Sequence, residues 1–338
     1  MQYELRQQVI ETQRPTFTSL INRYGGRPAT RYEEGSVDIQ ATENFHYRPL
    51  WDPAHELYDV EFSALRLTDP YSFLDPRQFY YAPYVTSRAQ LHDAFGKTLD
   101  YLAQRDLIGR LPEAWHTFFA DLLLPLRHYE SGGQLITVNG ARFAYGTTIE
   151  QCLSYAAFDR IGNAQMLSKV GIALGDNSDA LLEPAKTAWL DAPELQGFRR
   201  FIEQLLVEPD WAVGAYALDL CDQLLYPLLT RHLDEAALTG GAGAYSLLMQ
   251  HFGTWFTDQR KWLDALYASW LNDPEYAASN AAALSAATAR WLPQIVEAVN
   301  DYAAAIDGLL GVDAVSAVAT TAAAIRGRLT GLGIEVSA

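Results

Sequence analysis

The sequence predicts an all-α fold preceded by an extended N-terminal arm, and three observations support this. From residue 76 onward, apolar residues recur at steps of three and four, the spacing of one helical face. No alternating apolar and polar stretch is long enough to indicate a sheet, and no fixed-period repeat occurs. Up to residue 76, prolines break the chain repeatedly. We therefore predict an arm over residues 1–75 and a single helical domain over residues 76–338.

The arm combines prolines with many aromatic and basic residues, most densely in segments 23–32 and 44–53. Flexible linkers lack such aromatic content, so the arm is predicted to be an ordered segment that lies across a surface. That surface is either its own helical domain or a partner protein. Tyr, Trp and Arg are typical anchors of protein interfaces, which favours the partner.

Each predicted helix follows from its apolar spacing and its end signals. The first begins after Pro76 and carries an apolar stripe from Phe79 to Leu102. The second begins at Pro112, is predicted to bend near Pro125, and is predicted to end at Ser131-Gly132-Gly133. Further helices are predicted over residues 149–174, 178–190, 193–207, 210–237, 244–271, 279–309 and 313–331.

Composition excludes several classes of function. The chain has 338 residues, 49 % of them hydrophobic, and a net charge of −16, which disfavours binding to nucleic acid or an anionic membrane. Cys152 and Cys221 are far apart in apolar surroundings, which predicts buried thiols and no disulfide framework. No secretion signal or membrane-spanning apolar run is evident, so we predict a cytoplasmic protein.

Two Glu-x-x-His pairs raise the possibility of a di-iron site, Glu43 with His46 and Glu113 with His116. Di-iron carboxylate bundles use such pairs on two helices and a further Glu from each of two others. Here the first pair lies in the proline-broken arm, and the second lies in the first turn of a helix, where an acid favours the helix dipole. We predict that both pairs are surface residues; the alternative is a stand-alone di-iron oxidase.

Asp219 and Asp222 lie three residues apart on a leucine-rich predicted helix, and so share one face. A buried acid needs a partner, for which Arg160 or Arg127 is a candidate. Solvated acids on an outer face are the alternative. No nucleophile elbow, phosphate-binding loop or dinucleotide fingerprint is present.

Several segments of the chain share one likeness; they are the two arm segments, Thr68-Asp69-Pro70 with Asp75 to Tyr81, Leu124 to His128, and Asp159 to Gln165. These segments resemble the β subunit of bacterial multicomponent phenol hydroxylase. The resemblance runs in order across most of the chain and is strongest from Tyr24 to Tyr84.

This resemblance implies a ferritin-like helical bundle that carries no iron. It implies assembly with an α subunit, which holds the di-iron centre, and a γ subunit in an (αβγ)₂ hydroxylase, served by a regulatory protein and an NADH-dependent reductase. That complex is a phenol 2-monooxygenase, which hydroxylates phenol-type aromatics with O₂. Toluene, alkene and alkane monooxygenases share this β-subunit architecture and remain alternatives. A third reading is a helical module that binds a small hydrophobic molecule.

At the level of residues, the resemblance implies no catalytic, cofactor-binding or metal-binding group in this chain. The α subunit's ligand helices resemble Asp-Glu-x-Arg-His, which places Arg160 at the bridging Glu position and Asn163 at the His position. We predict that Arg160 points into the bundle and puts a fixed cation where a metal would sit, which excludes iron electrostatically, and that Asn163 is a poor iron ligand. The predicted interface with α consists of Arg27, Arg31, Tyr32, Phe45, His46, Tyr47, Arg48 and Trp51.

Overall fold

A computed structural model describes residues 16–40 and 53–336, and over these residues all regular structure is helical, as predicted. The α-helices are α1 (Thr18–Tyr24), α2 (Arg31–Ser36), α3 (Tyr81–Gln104), α4 (Glu113–Thr117), α5 (Leu126–Phe143), α6 (Thr147–Leu174), α7 (Leu182–Asp191), α8 (Pro193–Leu205), α9 (Trp211–Pro227), α10 (Leu233–Thr239), α11 (Gly243–Leu271), α12 (Ala277–Leu310) and α13 (Ala314–Gly331). No helix within the described ranges is long and apolar enough to cross a bilayer.

The centre of the molecule is a bundle of α5, α6, α9 and α11. Helices α5 and α6 form an antiparallel hairpin, and α9 and α11 pack against it. Helix α3 lies on α6 and α11, while α8, α12 and α13 cover the other side. The core is rich in large aromatic side chains, and Trp255, Trp262 and Trp291 are almost completely buried. Burial of such rings supplies much of the hydrophobic stabilisation of a helical domain.

The described part of the arm packs on this bundle through hydrogen bonds to the starts of helices. Asp210, which caps α9, also accepts hydrogen bonds from Ser63 Oγ at 2.8 Å and from the N–H of Ala64 at 2.7 Å. Asp273, just before α12, accepts from both the N–H and the hydroxyl of Thr68 at 2.7 Å. The segment that contains Ser63 and Thr68 is therefore fixed to the chain's own helices.

Two π-helical segments, Phe118–Leu123 and Leu228–His232, interrupt the long helices that contain α5 and α9. Each lies beside a proline, Pro125 or Pro227. Proline cannot donate to the helical ladder and its ring crowds the preceding turn, so the backbone widens locally instead of ending.

The helix end predicted at Ser131-Gly132-Gly133 is wrong, because α5 runs through these residues to Phe143. Both glycines lie at close approaches between helices. A Cβ atom at Gly132 would overlap Ile202, and one at Gly133 would lie 3.3 Å from Arg160 Nε. Here glycine is required by packing against neighbouring side chains, and the helix tolerates its weak propensity.

A buried ionic cluster as the candidate functional site

Five polar side chains converge in the middle of the four-helix bundle, and we refer to them as the central cluster. They are Glu130 on α5, Arg160 and Asn163 on α6, and Asp222 and Tyr226 on α9. Each is at most 3 % exposed. Buried charges need partners, so the hydrogen bonds among these groups decide whether the core is stable.

Arg160 bridges two acids that come from different helices. Its Nη1 donates to Glu130 Oε1 at 3.1 Å, and its Nη2 donates to Asp222 Oδ2. Glu130 is further satisfied by Asn163 Nδ2, which donates to Oε2 at 3.2 Å, and by the Tyr226 hydroxyl, which donates to Oε1 at 2.7 Å. One cation thus joins α5, α6 and α9.

Aromatic rings enclose the guanidinium of Arg160. Its Cζ lies 5.7 Å from the centre of the Tyr129 ring and 5.2 Å from that of Trp255, which are cation–π distances. The Tyr129 hydroxyl also donates to Asp222 Oδ1 at 2.8 Å. Among the described residues, Arg160 Nε has no hydrogen-bond acceptor. The guanidinium is therefore held by two acids and two ring faces, away from solvent.

The burial of the central cluster alters its protonation. Burial raises the pKa of Asp222 to about 7, although the nearby Arg160 cation opposes that shift. Burial disfavours the charged form of Arg160, but Asp222 and Glu130 outweigh it and raise the Arg160 pKa well above its ordinary value. Arg160 is therefore a permanent cation, whereas Asp222 takes up a proton more readily than an exposed aspartate.

Asp222 is expected to make a recognisable contribution to the pH dependence of stability. Its folded-state pKa of about 7 lies above the ordinary value of 3.8, so between these values the folded chain holds a proton that the unfolded chain has lost. The contribution of Asp222 to stability is therefore complete below about pH 4 and is lost as the pH rises through 7, by at most about 1.4 kcal/mol per pH unit. We expect this slope in the difference between unfolding free energies of wild type and Asp222→Asn, measured by urea titration from pH 4 to 8. A difference that grows in favour of wild type with rising pH would contradict it.

A second network fixes the orientation of α6. Arg88 on α3 donates to Asp159 Oδ1 and to Asp258 Oδ2, each at 2.7 Å. Asp159 also accepts from the Tyr84 hydroxyl at 2.8 Å and from Trp255 Nε1 at 3.1 Å. These contacts join α3, α6 and α11. Because Asp159 is held on the side facing α3 and α11, the next residue along α6 is directed into the bundle.

The structure therefore confirms that Arg160 points into the bundle interior. The alternative of solvated acids on an outer face is wrong for Asp219 and Asp222, which are both buried. Asp222 pairs with Arg160, as one of the two candidate pairings anticipated, whereas Asp219 pairs with Arg260.

Sequence reasoning missed two members of the central cluster, Glu130 and Tyr226, and also the Trp255 ring that lies against Arg160. Glu130 lies two residues before Gly132, and the mistaken helix end there obscured its central place on α5. A signal was available, because Glu130 follows Leu126 by four residues on the same helical face.

The Glu-x-x-His pair that the structure describes, Glu113 with His116, does not join the central cluster. Glu113 and His116 are exposed at the start of α4, as predicted, and Glu43 and His46 lie outside the described residues. Within residues 16–40 and 53–336, no group of three His, Cys, Asp or Glu side chains is arranged to hold a metal ion.

The predicted interface residues fall into two groups. In the described part of the arm, Arg27 pairs with Glu33 at 3.0 Å, Arg31 is exposed, and Tyr32 is buried in its own chain, where its hydroxyl accepts from the N–H of Asp75 at 2.7 Å. The other five lie outside the described residues; they are Phe45, His46, Tyr47, Arg48 and Trp51. Their role at an interface stays a prediction.

Comparison with known proteins places this architecture in a family. Residues 51–274 match the model of the methane/phenol/alkene hydroxylase family. The chain is 36 % identical to the phenol 2-monooxygenase oxygenase component DmpL of Pseudomonas sp. (strain CF600), with 95 % of this chain and 96 % of that protein covered. It is 37 % identical to the corresponding component MhpL of Acinetobacter pittii (strain PHEA-2), covering 79 % of this chain and 80 % of that one.

Comparison with solved structures agrees with the comparison of sequences. Phenol hydroxylase from Pseudomonas sp. OX1 superposes with a TM-score of 0.86 at 31 % identity, over 95 % of this chain and 96 % of that one. Toluene 4-monooxygenase superposes with a TM-score of 0.72 at 19 % identity, over 92 % and 100 %, which shows the shared fold. The chain is a member of the methane/phenol/alkene hydroxylase family.

Proposed function

We propose that this chain is the non-catalytic structural β subunit of a phenol 2-monooxygenase hydroxylase. The family is one of multicomponent di-iron monooxygenases. The observation that carries the proposal is the full-length likeness to DmpL, which is named as an oxygenase component of phenol 2-monooxygenase. The central cluster supports the non-catalytic part, because Arg160 lies buried in the middle of the bundle and pairs there with Glu130 and Asp222.

The finer parts of the proposal concern partners and location. The di-iron centre belongs to a partner α subunit, and α, β and γ form an (αβγ)₂ assembly in the cytoplasm. A regulatory protein and an NADH-dependent reductase serve that assembly. The described arm supports binding to α in part, because Arg31 is exposed and Arg27 remains half exposed beside Glu33.

An exposed apolar surface formed by α3 and α6 also supports a partner. Tyr81 and Val85 lie four residues apart on α3 and are 73 % and 42 % exposed. Phe158 and Ile161 lie three residues apart on α6 and are 58 % and 42 % exposed. The Tyr84 ring lies 6.4 Å from that of Phe158, so the two stripes are neighbours. Contiguous exposed apolar side chains mark interaction sites on soluble proteins.

The decisive experiment is co-expression of this chain with an α subunit of the same family and with γ. We expect the chains to co-purify, iron to accompany α, and NADH-dependent hydroxylation of phenol to require all chains and the reductase. Purification of this chain as a stable monomer that does not bind α would contradict the proposal. A faster reaction with toluene or an alkene than with phenol would keep the structural role and change the substrate.

Charge placed on the apolar surface is expected to weaken this assembly. Tyr81→Glu with Phe158→Glu should cut the amount of chain retained by tagged α by roughly thirtyfold or more, since loss of one interface hot spot costs about 2 kcal/mol. Thermal unfolding of the isolated variant should stay close to wild type, because both side chains are exposed. Val207→Glu, at a 79 % exposed residue after α8, is the matched control and should bind normally. Equal retention of the double variant would remove this surface from the proposal.

A further inference from the structure

The central cluster lies where ferritin-like carboxylate proteins bind metal ions. In such bundles two helices each supply one inward glutamate, and the other two each supply a Glu-x-x-His pair. Here α5 and α9 each retain one buried inward acid, Glu130 and Asp222. Two of the four helices of the bundle therefore supply an acid of the kind that binds a metal ion.

The other two helices, α6 and α11, do not supply side chains that fit a metal ion. Helix α6 presents Arg160-x-x-Asn163, a cation and an amide in place of a carboxylate and an imidazole. On α11 the ring of Trp255 covers the guanidinium, and the residue three positions on, Asp258, is bound to Arg88 instead. The retained acids therefore face a protein cation.

We propose that the Arg160 guanidinium stands in the place of a metal ion and supplies the permanent counter-charge that holds Glu130 and Asp222 together. It contacts both acids, as a bridging metal ion would, and so closes α5 and α9 onto α6. Asn163 and Tyr226 donate to the same carboxylate of Glu130. Arginine does not lose its proton in proteins. The guanidinium therefore stays charged, and a dissolved metal ion cannot remove that charge by displacing a proton.

The packing around Arg160 shows that the bundle is built for this cation. Gly133 on α5 leaves space for the side chain, since a Cβ there would press on Nε, Cδ and Cζ at 3.3–3.4 Å. Tyr129 and Trp255 supply ring faces, which attract a guanidinium but would offer a metal ion no ligand. The site is thus specific for a planar organic cation.

It follows that the central cluster presents two acids, Glu130 and Asp222, with the Arg160 guanidinium in the position between them that a metal ion would need. Removal of the guanidinium leaves Glu130 and Asp222 facing an empty space on different helices. Histidine at position 163 would add an imidazole from the same face of α6. Two carboxylates and one imidazole form a ligand set typical of divalent transition ions.

The test compares Co²⁺ binding by the full-length chain, wild type and Arg160→Ala/Asn163→His. We expect the double variant to bind Co²⁺ in stoichiometric amount, with a visible absorption band and a raised melting temperature. Arg160→Lys/Asn163→His, which keeps a cation, should bind none. Addition of Glu130→Gln to the double variant should weaken Co²⁺ binding at least tenfold. If the double variant folds only when metal is present, gain of helical circular dichroism on addition of Co²⁺ is the readout.

Two results would overturn the proposal. One is Co²⁺ binding by wild type that Glu130→Gln abolishes, because the guanidinium would then not exclude the ion. The other is a double variant that neither binds Co²⁺ when folded nor folds on its addition. Neither measurement involves the partner subunit or hydroxylation, so the outcome is independent of the proposed function.

Discussion

Replacement of Arg160 with alanine is expected to lower the free energy of unfolding by about 3–5 kcal/mol, the cost of leaving a buried ion pair without one partner. In this variant Glu130 and Asp222 would face each other inside the bundle without a cation. Nearby donors, Asn163 and the tyrosines, compensate only in part. Urea-induced unfolding followed by circular dichroism measures the loss.

Two controls separate charge from packing in that experiment. Arg199→Ala removes a partly exposed arginine that pairs with Glu203 near the surface, and should change stability by only about 0–1 kcal/mol. The triple variant Glu130→Gln/Arg160→Met/Asp222→Asn removes the whole charge set and should recover most of the loss, because well-packed neutral replacements of buried ion pairs are often tolerated. If Arg160→Ala proved no more harmful than Arg199→Ala, the central cluster would have no structural role.

Gly146→Ala is expected to destabilise the chain by about 2–5 kcal/mol, from backbone strain and overlap together. Gly146 connects α5 to α6 with φ of +115°, a conformation that L side chains rarely adopt. A Cβ there would lie 2.5 Å from the carbonyl oxygen of Pro70, a backbone atom that cannot turn aside. The Gly146 N–H also donates to Gln40 Oε1 at 2.9 Å, so strain at this turn reaches the arm.

Gly96→Ala is the matched control for that substitution. Gly96 lies within α3, and a Cβ added there would meet no atom within 4 Å. Alanine should therefore stabilise this helix by about 0.5–1 kcal/mol. Thermal unfolding of the two variants should shift in opposite directions, and parallel shifts would show that the conformation at residue 146 is unimportant.

The helical fold could be predicted from the sequence because apolar spacing reports directly which face of a helix is buried. The starts at Pro112, Pro193 and Asp210 also followed from local chemistry, since proline and aspartate suit first helical positions and caps. The glycine pair at 132 and 133 misled because glycine has two uses. It breaks helices, and it also lets another element approach closely, which only tertiary packing reveals.

The candidate site could be predicted only in part. The inward direction of Arg160 followed from the resemblance of segment 159–165 to a ligand helix. Of its two partners, Asp222 was one of two candidate pairings, whereas Glu130 was missed, because it lies on another helix and one sequence carries no information on which helices pack together. Tyr32 illustrates the converse: an aromatic residue typical of interfaces is buried in its own chain.

Asp210 and Asp273 have a consequence for how this protein can change over evolutionary time. Each carboxylate serves a helix start and the arm at once, with Asp210 bonded to both Ser63 and α9. The arm and the helical domain share these hydrogen-bond acceptors. The arm therefore cannot be replaced or lost without disturbing the helices that it contacts. The arm and bundle are thereby constrained to diverge together, and any partner that the arm recruits is tied to the integrity of the core.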